Sequence, residues 1–214
     1  MPITIEEAQT WYSSADPVHD FDHVLRVYRL AERLAEAEGA DLAIVRAAAL
    51  LHDSCGSAPG SSGNQRAEHH LTSAEFAGQV LREKYWSQEK ILAVQHCIRA
   101  HRFRGKADKP ETLEAKVLFD SDKLDVLGAV GVARTIAYAA LDGEPAYADP
   151  SDKFLQTGIK EPGEPHSSYH EYMFKLRNVR DRLFTDSGKQ LAEARHAYMM
   201  GFYQQLQAEV RGER

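Results

Sequence analysis

Cysteine is scarce, with Cys55 and Cys97 the only two in 214 residues. That excludes a disulfide framework and suits a reducing compartment, so a cytoplasmic location is expected. Long apolar runs are missing as well. No stretch reaches the roughly 18 residues that a membrane-spanning helix needs, and no membrane partner is expected. The opening MPITIEEAQTWYSSADP is acidic and has neither the basic nor the apolar region of a signal peptide. Positive charge is also in deficit: the net charge of −6 disfavours broad electrostatic binding to a nucleic-acid polymer. A small phosphorylated substrate, held by a few local cations, is still allowed. Runs of Val, Ile and Thr are rare, whereas Ala, Leu, Glu, Arg and Gln fill the periodic segments, which predicts an all-α protein.

What is present is a globular composition, 43% hydrophobic and 27% charged, in a length that suits one domain. Asp16 and Pro17 are a good cap and first-turn pair for a helix running to Glu38, which Gly39 closes. Asp41 caps LAIVRAAALLHD, apolar almost all round and therefore expected to be buried. Residues 54 to 66 read as a Gly/Ser loop, followed by helical patterns over 67–85 and 87–101. A basic turn then leads to one helix from near Glu111 through Asp122 towards Leu141. Prolines and glycines over 142–168 predict a long irregular connection, and two last helices are expected over 169–184 and 187–211. The expected architecture is a single-domain helical fold of seven to nine helices, with a core over about 16–141 and a C-terminal helical extension. Tyr198, Met199, Met200, Phe202 and Tyr203 read as core.

Ten histidines stand out, several of them before residue 102. His19, His23 and Arg26 share one face of their helix, opposite a core stripe of Phe21, Val24, Leu25, Tyr28, Ala31 and Ala35. A solvated face explains His19 and Arg26 as well, but His23 less easily. His52 and Asp53 end the buried helix, where a polar pair is costly unless it is paired or ligates a metal. A capping Asp beside an incidental His is the plain alternative. Asp122, Asp125 and Ala129 share a face by i, i+3, i+7 spacing on a helix where Gly128 and Gly131 allow close approach. Asp122 is therefore a ligand or half of a buried ion pair. Cys55 has no matched cysteine spacing and reads as neither ligand nor nucleophile.

The ordered pattern His23, His52-Asp53, Asp122 resembles the HD superfamily of metal-dependent phosphohydrolases. HDFDHVLRV, AALLHD and DSDKLDVLGAVGVAR are similar to a small bacterial subgroup resembling nucleotide pyrophosphohydrolases. The tail LRNVRDRLFTDSGKQLAEARHAYMMGFYQQLQAE resembles that subgroup too, so the likeness spans nearly the whole chain. The resemblance implies His23, His52, Asp53 and Asp122 as metal ligands, with Asp53 and Asp122 in catalytic roles. Mn²⁺, Fe²⁺, Co²⁺ or Ni²⁺ suit such ligands better than Zn²⁺ or Mg²⁺. His69 in HHLTSAEFA and His101 in IRAHRF resemble the second-metal positions of some relatives, yet the cyclic-dinucleotide signatures are lacking. One metal is the default, with His69 and His101 otherwise at the surface or in an outer shell.

Arg26, Lys123 and His19 are the candidate substrate contacts, and Arg99, Arg102, Arg104 and Lys106 form a basic cluster that reads first as a solvated turn. Three functions are carried forward. The first is a nucleotide phosphohydrolase, with triphosphate cleavage to monophosphate and pyrophosphate as one form. The second is a phosphomonoesterase or phosphodiesterase on another ester, and the third a non-catalytic metal-binding regulator. Di-iron oxygenase chemistry would need both His69 and His101. The loop after Asp53 is either a lid over the pocket or a plain connector. Oligomeric state is left open, a homodimer included.

Overall fold

The computed structural model describes residues 1–12, 21–55, 63–102 and 108–214, with only the helical backbone at 63–67. Among these there are ten α-helices and no strand. They are α1 Ile5–Gln9, α2 Phe21–Glu38, α3 Leu42–Leu51, α4 Gly63–Glu83, α5 Gln88–Ala100, α6 Leu113–Leu124, α7 Gly128–Leu141, α8 Asp152–Thr157, α9 Ser168–Phe174 and α10 Asp186–Val210. The all-α reading holds, with two short helices, α1 and α8, that the sequence pattern did not announce. The chain divides into two compact units, Met1–Asp122 with Phe184–Gly188, and Lys123–Leu183 with Lys189–Arg214. No single helix among the described residues is long and apolar enough to cross a membrane.

In the first unit, α2 packs on α3, α3 on α5, and α5 on α4. The predicted stripe of α2 is inside at Phe21, Val24, Ala31 and Ala35, joined by Val27 and Leu34. Asp41 caps α3 as expected, its Oδ1 accepting from the N–H groups of Ala43 at 2.8 Å and Ile44 at 3.3 Å. From Ala47 to Leu51 every residue of α3 is buried. Each such leucine stabilises the fold by about 1.5–3 kcal/mol relative to exposure. That makes α3 a rigid stem for whatever follows Leu51. The fully buried Asp120 accepts from the backbone N–H of Phe184 at 2.9 Å and of Thr185 at 2.7 Å. It thereby holds in place the two residues that lead into α10.

The second unit overturns two expectations. The single helix expected over 111–141 is two helices, α6 and α7, separated by a break at residues 125–127. Gly128 has φ +73°, a left-handed conformation open to glycine but strained for other residues, and it takes the chain out of one helix and into the next. Asp122 and Asp125 therefore do not share a helical face. Asp125 is buried in the break and pairs with Arg134. The helix expected over 169–184 stops at Phe174 and continues as 3₁₀ turns at Leu176–Asn178 and Arg180–Arg182. Of the aromatic and methionine cluster in α10, Met199 and Tyr203 are core, but Tyr198 and Met200 are exposed.

The irregular stretch before α9 is closed by a buried clasp. Ser167 Oγ lies 2.7 Å from His170 Nδ1, and His170 Nε2 lies 3.1 Å from Glu164 Oε1. Glu164 also accepts from the N–H of Ser151 at 2.7 Å. Ser167 and His170 are fully buried, so this constellation ties a loop together and faces no substrate.

Glycine at 131 has a different reason from that at 128. A Cβ there would lie 2.2 Å from the carbonyl oxygen of Val126 and 2.8 Å from Met199 Cε. Gly201, also within a helix, has nothing within 4 Å of an added Cβ. Gly131→Ala is expected to destabilise by about 1–3 kcal/mol through overpacking. Gly201→Ala should stabilise by up to about 1 kcal/mol, the helix-propensity difference. Chemical denaturation of both variants checks the contrast, and equal effects would refute it.

Candidate metal centre

Five helices or helix ends of the first unit bring polar side chains to one spot. His23 lies in the first turn of α2, and His52 is the residue that ends α3, with Asp53 next to it. His69 comes from α4, His101 ends α5, and Asp122 lies near the end of α6. The two helix-end histidines use one device. His52 Nδ1 donates to the carbonyl of Ala49 at 2.8 Å, and His101 Nδ1 to that of Ile98 at 2.5 Å, each three residues back. A carbonyl oxygen can only accept, so the hydrogen of each neutral ring sits on Nδ1 and Nε2 is left as a bare lone pair.

Those lone pairs point at a carboxylate. Asp53 Oδ2 lies 3.5 Å from His52 Nε2 and 3.8 Å from His23 Nε2. Asp53 Oδ1 lies 3.4 Å from both His69 Nε2 and His101 Nε2, which are themselves 3.4 Å apart. Asp122 Oδ1 is 3.5 Å from His23 Nε2. These separations are too long for good hydrogen bonds. They match the roughly 3–4 Å between two atoms that each lie about 2.1 Å from one ion. His52 Nε2 and Asp53 Oδ1 are buried and have no hydrogen-bond partner among the described residues. A lone pair set against a carboxylate oxygen in a buried site is repulsive unless a cation lies between them. The orphaned atoms and the imidazole-carboxylate donor set therefore fit a divalent metal, and two overlapping ligand sets exist: His23, His52, Asp53 and Asp53, His69, His101.

Burial opposes ionisation of Asp53 more than any other single influence. Even so, charge on His52 and hydrogen bonds from His101 and His69, present when those rings are protonated, outweigh it and hold the carboxyl well below the usual carboxylate range. His101 is pushed down by its own burial, which Asp53 offsets in part, so the ring favours its neutral, ligating form. His70, beside His69, is pushed down to about 4, chiefly by burial and then by His69 and His101. Burial raises the Cys55 thiol, in keeping with its exclusion as a thiolate.

The structure thus brings together six of the residues that sequence analysis singled out: His23, His52, Asp53, His69, His101 and Asp122. His101 is only 3% exposed, so it is no surface histidine. Arg26 is half-buried on α2, about one turn beyond His23. Lys123 is half-buried at the start of the second unit. In the basic cluster, Arg99 is taken up by Asp108 at 2.9 Å. His19, Arg104, Lys106, the Asp16 cap and most of the loop expected as a lid lie outside the described residues, and α4 begins at Gly63 within that loop. Sequence reasoning missed Tyr12, whose hydroxyl donates to Leu50 O at 2.9 Å. An isolated tyrosine three residues past a five-residue helix carries no periodic signal that could have flagged it.

A helical bundle with this His/Asp centre defines a class. The HD-domain family profile matches residues 20–127, a span containing every residue of the cluster, and the chain belongs to that family. The Bacillus subtilis protein YpgQ is 31% identical over 97% of this chain and 94% of its own length. The crystal structure of YpgQ in complex with ADP superposes with a TM-score of 0.74 at 31% identity, covering 98% of this chain and 99% of that one. An HD-superfamily hydrolase from Bacillus thuringiensis superposes with a TM-score of 0.70 at 30% identity, covering 97% and 96%.

Asp53→Ala removes the one carboxylate common to both ligand sets. It is expected to weaken divalent-metal binding by more than the roughly 10–100-fold typical of outer-shell changes, while the protein still folds. Elemental analysis alongside circular dichroism decides this, and wild-type metal content in a folded variant would sink the assignment.

Proposed function

We propose that this protein is a metal-dependent phosphohydrolase whose substrate is a small phosphorylated molecule, a nucleotide in the first instance. The observation that carries the reading is the Asp53 carboxylate, whose two oxygens each face two imidazole nitrogens at 3.4–3.8 Å. The chain's place among HD-superfamily hydrolases supports hydrolysis, and the ADP complex of YpgQ supports a nucleotide. His23, His52, Asp53 and Asp122 would hold one divalent ion, Mn²⁺, Fe²⁺, Co²⁺ or Ni²⁺ by ligand type, and Asp53, His69 and His101 a second. Such an ion supplies Lewis acidity toward phosphoryl oxygens and acidifies water near neutral pH.

The chain's own residues do the rest. Asp53 remains ionised, so it fixes charge and geometry and donates no proton. The hydrogen bonds from His52 Nδ1 and His101 Nδ1 keep both rings from turning and keep Nε2 available. Arg26 cannot lose its proton and cannot ligate a metal, so its role in this reading is to hold a phosphate. Hydrolysis joins a water oxygen to phosphorus and breaks a bridging P–O bond. The bridging oxygen leaves with the electron pair and takes up a proton. For a nucleoside triphosphate cut between the α and β phosphorus atoms, the products are monophosphate and pyrophosphate.

A metal-supplemented screen of nucleotides and simple phosphate esters, with phosphate and pyrophosphate quantified separately, tests the reading. Pyrophosphate release from triphosphates is the expected result. Orthophosphate alone would favour a phosphomonoesterase, and no release from any compound would leave a non-catalytic metal protein.

Arg26→Lys should lower kcat/KM about 10- to 100-fold through loss of a charge-assisted contact, with metal content unchanged. Loss of metal in that variant would instead make Arg26 structural. Two bound ions per chain in the wild type, falling to one in His69→Ala, is the stoichiometry expected by elemental analysis. One ion in both would remove the second site.

A further inference from the structure

The ligand pair His52-Asp53 hangs from the end of α3, and the end of a helix is a weak place from which to hold a metal. The last carbonyls of a helix have no partner within it, and unless something takes them the terminal turn frays. Here each of the last three carbonyls of α3 has a specific donor. Ala49 O accepts from His52 Nδ1 at 2.8 Å. Leu51 O accepts from Ser54 Oγ at 2.9 Å. Leu50 O accepts from the hydroxyl of Tyr12 at 2.9 Å, across 38 residues of sequence. The first two donors are local. The third comes from a separate segment.

That segment is itself tied down. Trp86 Nε1 donates to Met1 O at 2.9 Å, and Lys84 pairs with Glu7 at 2.7 Å. Trp11 meets Phe76 edge-on with ring centroids 5.5 Å apart. Residues 1–12 are thus strapped to α4 and to the turn after it. The Tyr12 ring also touches Phe21, at 5.4 Å between centroids, two residues before His23. One side chain therefore bears on both chain segments that supply the first ligand set. Its hydroxyl is bonded two residues before His52, and its ring lies against the start of the helix that carries His23.

From this geometry we infer that Tyr12 is a positioning residue for the metal centre. Its hydroxyl fixes the last turn of α3 and its ring the first turn of α2, so that His52, Asp53 and His23 present their ligand atoms together. This rests on the metal reading above, and it gives the N-terminal segment, which lies before the family match, a part in the site. Tyr12 acts through Leu50 and Phe21, and its hydroxyl also meets the backbone of Asp53 itself.

The test is Tyr12→Phe, which keeps the ring and removes the hydroxyl, compared with Tyr203→Phe, which removes a buried tyrosine hydroxyl bonded to Ser168 in the second unit. Isothermal titration with Mn²⁺ is expected to show affinity reduced about tenfold in Tyr12→Phe and unchanged in Tyr203→Phe, the scale typical of residues that orient ligands. The gain in Tm on adding Mn²⁺, measured within each variant, separates this from general loss of stability. It should shrink for Tyr12→Phe alone, and it can be read even in a weakened protein. Wild-type affinity and a full Tm gain in Tyr12→Phe would overturn the inference and leave the metal reading intact. An equal loss in both variants would also overturn it. If the wild type binds no Mn²⁺ at all, both readings fall.

Discussion

Five helices of the first unit converge on one carboxylate, Asp53, whose Oδ1 is buried with no hydrogen-bond partner among the described residues. Asp53 is ringed by His23, His52, His69 and His101, and the two histidines whose tautomers the backbone fixes offer it lone pairs. Ring nitrogens that donated hydrogens would relieve the repulsion, but the carbonyls of Ala49 and Ile98 have taken those hydrogens. The arrangement makes physical sense only with a cation inside it. Without one it is a standing electrostatic strain, and the surrounding fold must be stiff enough to maintain it.

The stiffness comes from where the ligands are placed. His52 and His101 both follow the last turn of a helix, and each ring bonds back to the carbonyl three residues earlier. That one contact satisfies an orphan of the helix end and orients a ligand. The two helices concerned pack against each other. The C-terminal half of α3, Ala47 to Leu51, is wholly buried, so its end cannot shift without opening the core. The other ligands sit on neighbouring helices, with Asp120 anchoring α6 two residues before Asp122. Activity in this reading therefore depends on apolar burial at one remove, because alanines and leucines of α3 hold the charged cluster in register.

The family match spans the cluster but stops shortly before α7, whereas the likeness to YpgQ extends over nearly the whole chain, including the second unit. The whole ligand set thus lies within the span that matches the HD domain. The stretch beyond that match, which the likeness to YpgQ also covers, includes Gly128, Glu164, Ser167 and His170 of this chain. Ser167 and His170 are fully buried and bonded to each other, and Asp125 in the break pairs with Arg134, contacts that serve packing.

Local signals in the sequence determined more of this protein than its even composition suggests. The Asp41 cap, the largely apolar α3 and the His-Asp pair at its end are short-range features that appear where the pattern put them, and the stripe on α2 does so except at the half-buried Leu25 and Tyr28. The ordered pattern of His23, His52-Asp53 and Asp122 pointed at a metal centre through its resemblance to the HD superfamily, whereas the His-Asp pair alone read equally as a capping Asp beside an incidental His. Tertiary structure alone decided the remainder. That His69 and His101 face the second oxygen of Asp53 follows from how α4, α5 and α3 pack, and no periodicity along one helix encodes it. The break between α6 and α7 was hidden because α-helical periodicity continues through it. Only the left-handed backbone at Gly128 and the Asp125–Arg134 pair reveal it. Tyr12 was invisible for the same physical reason: its partner is a backbone carbonyl 38 residues away, and every residue type has one.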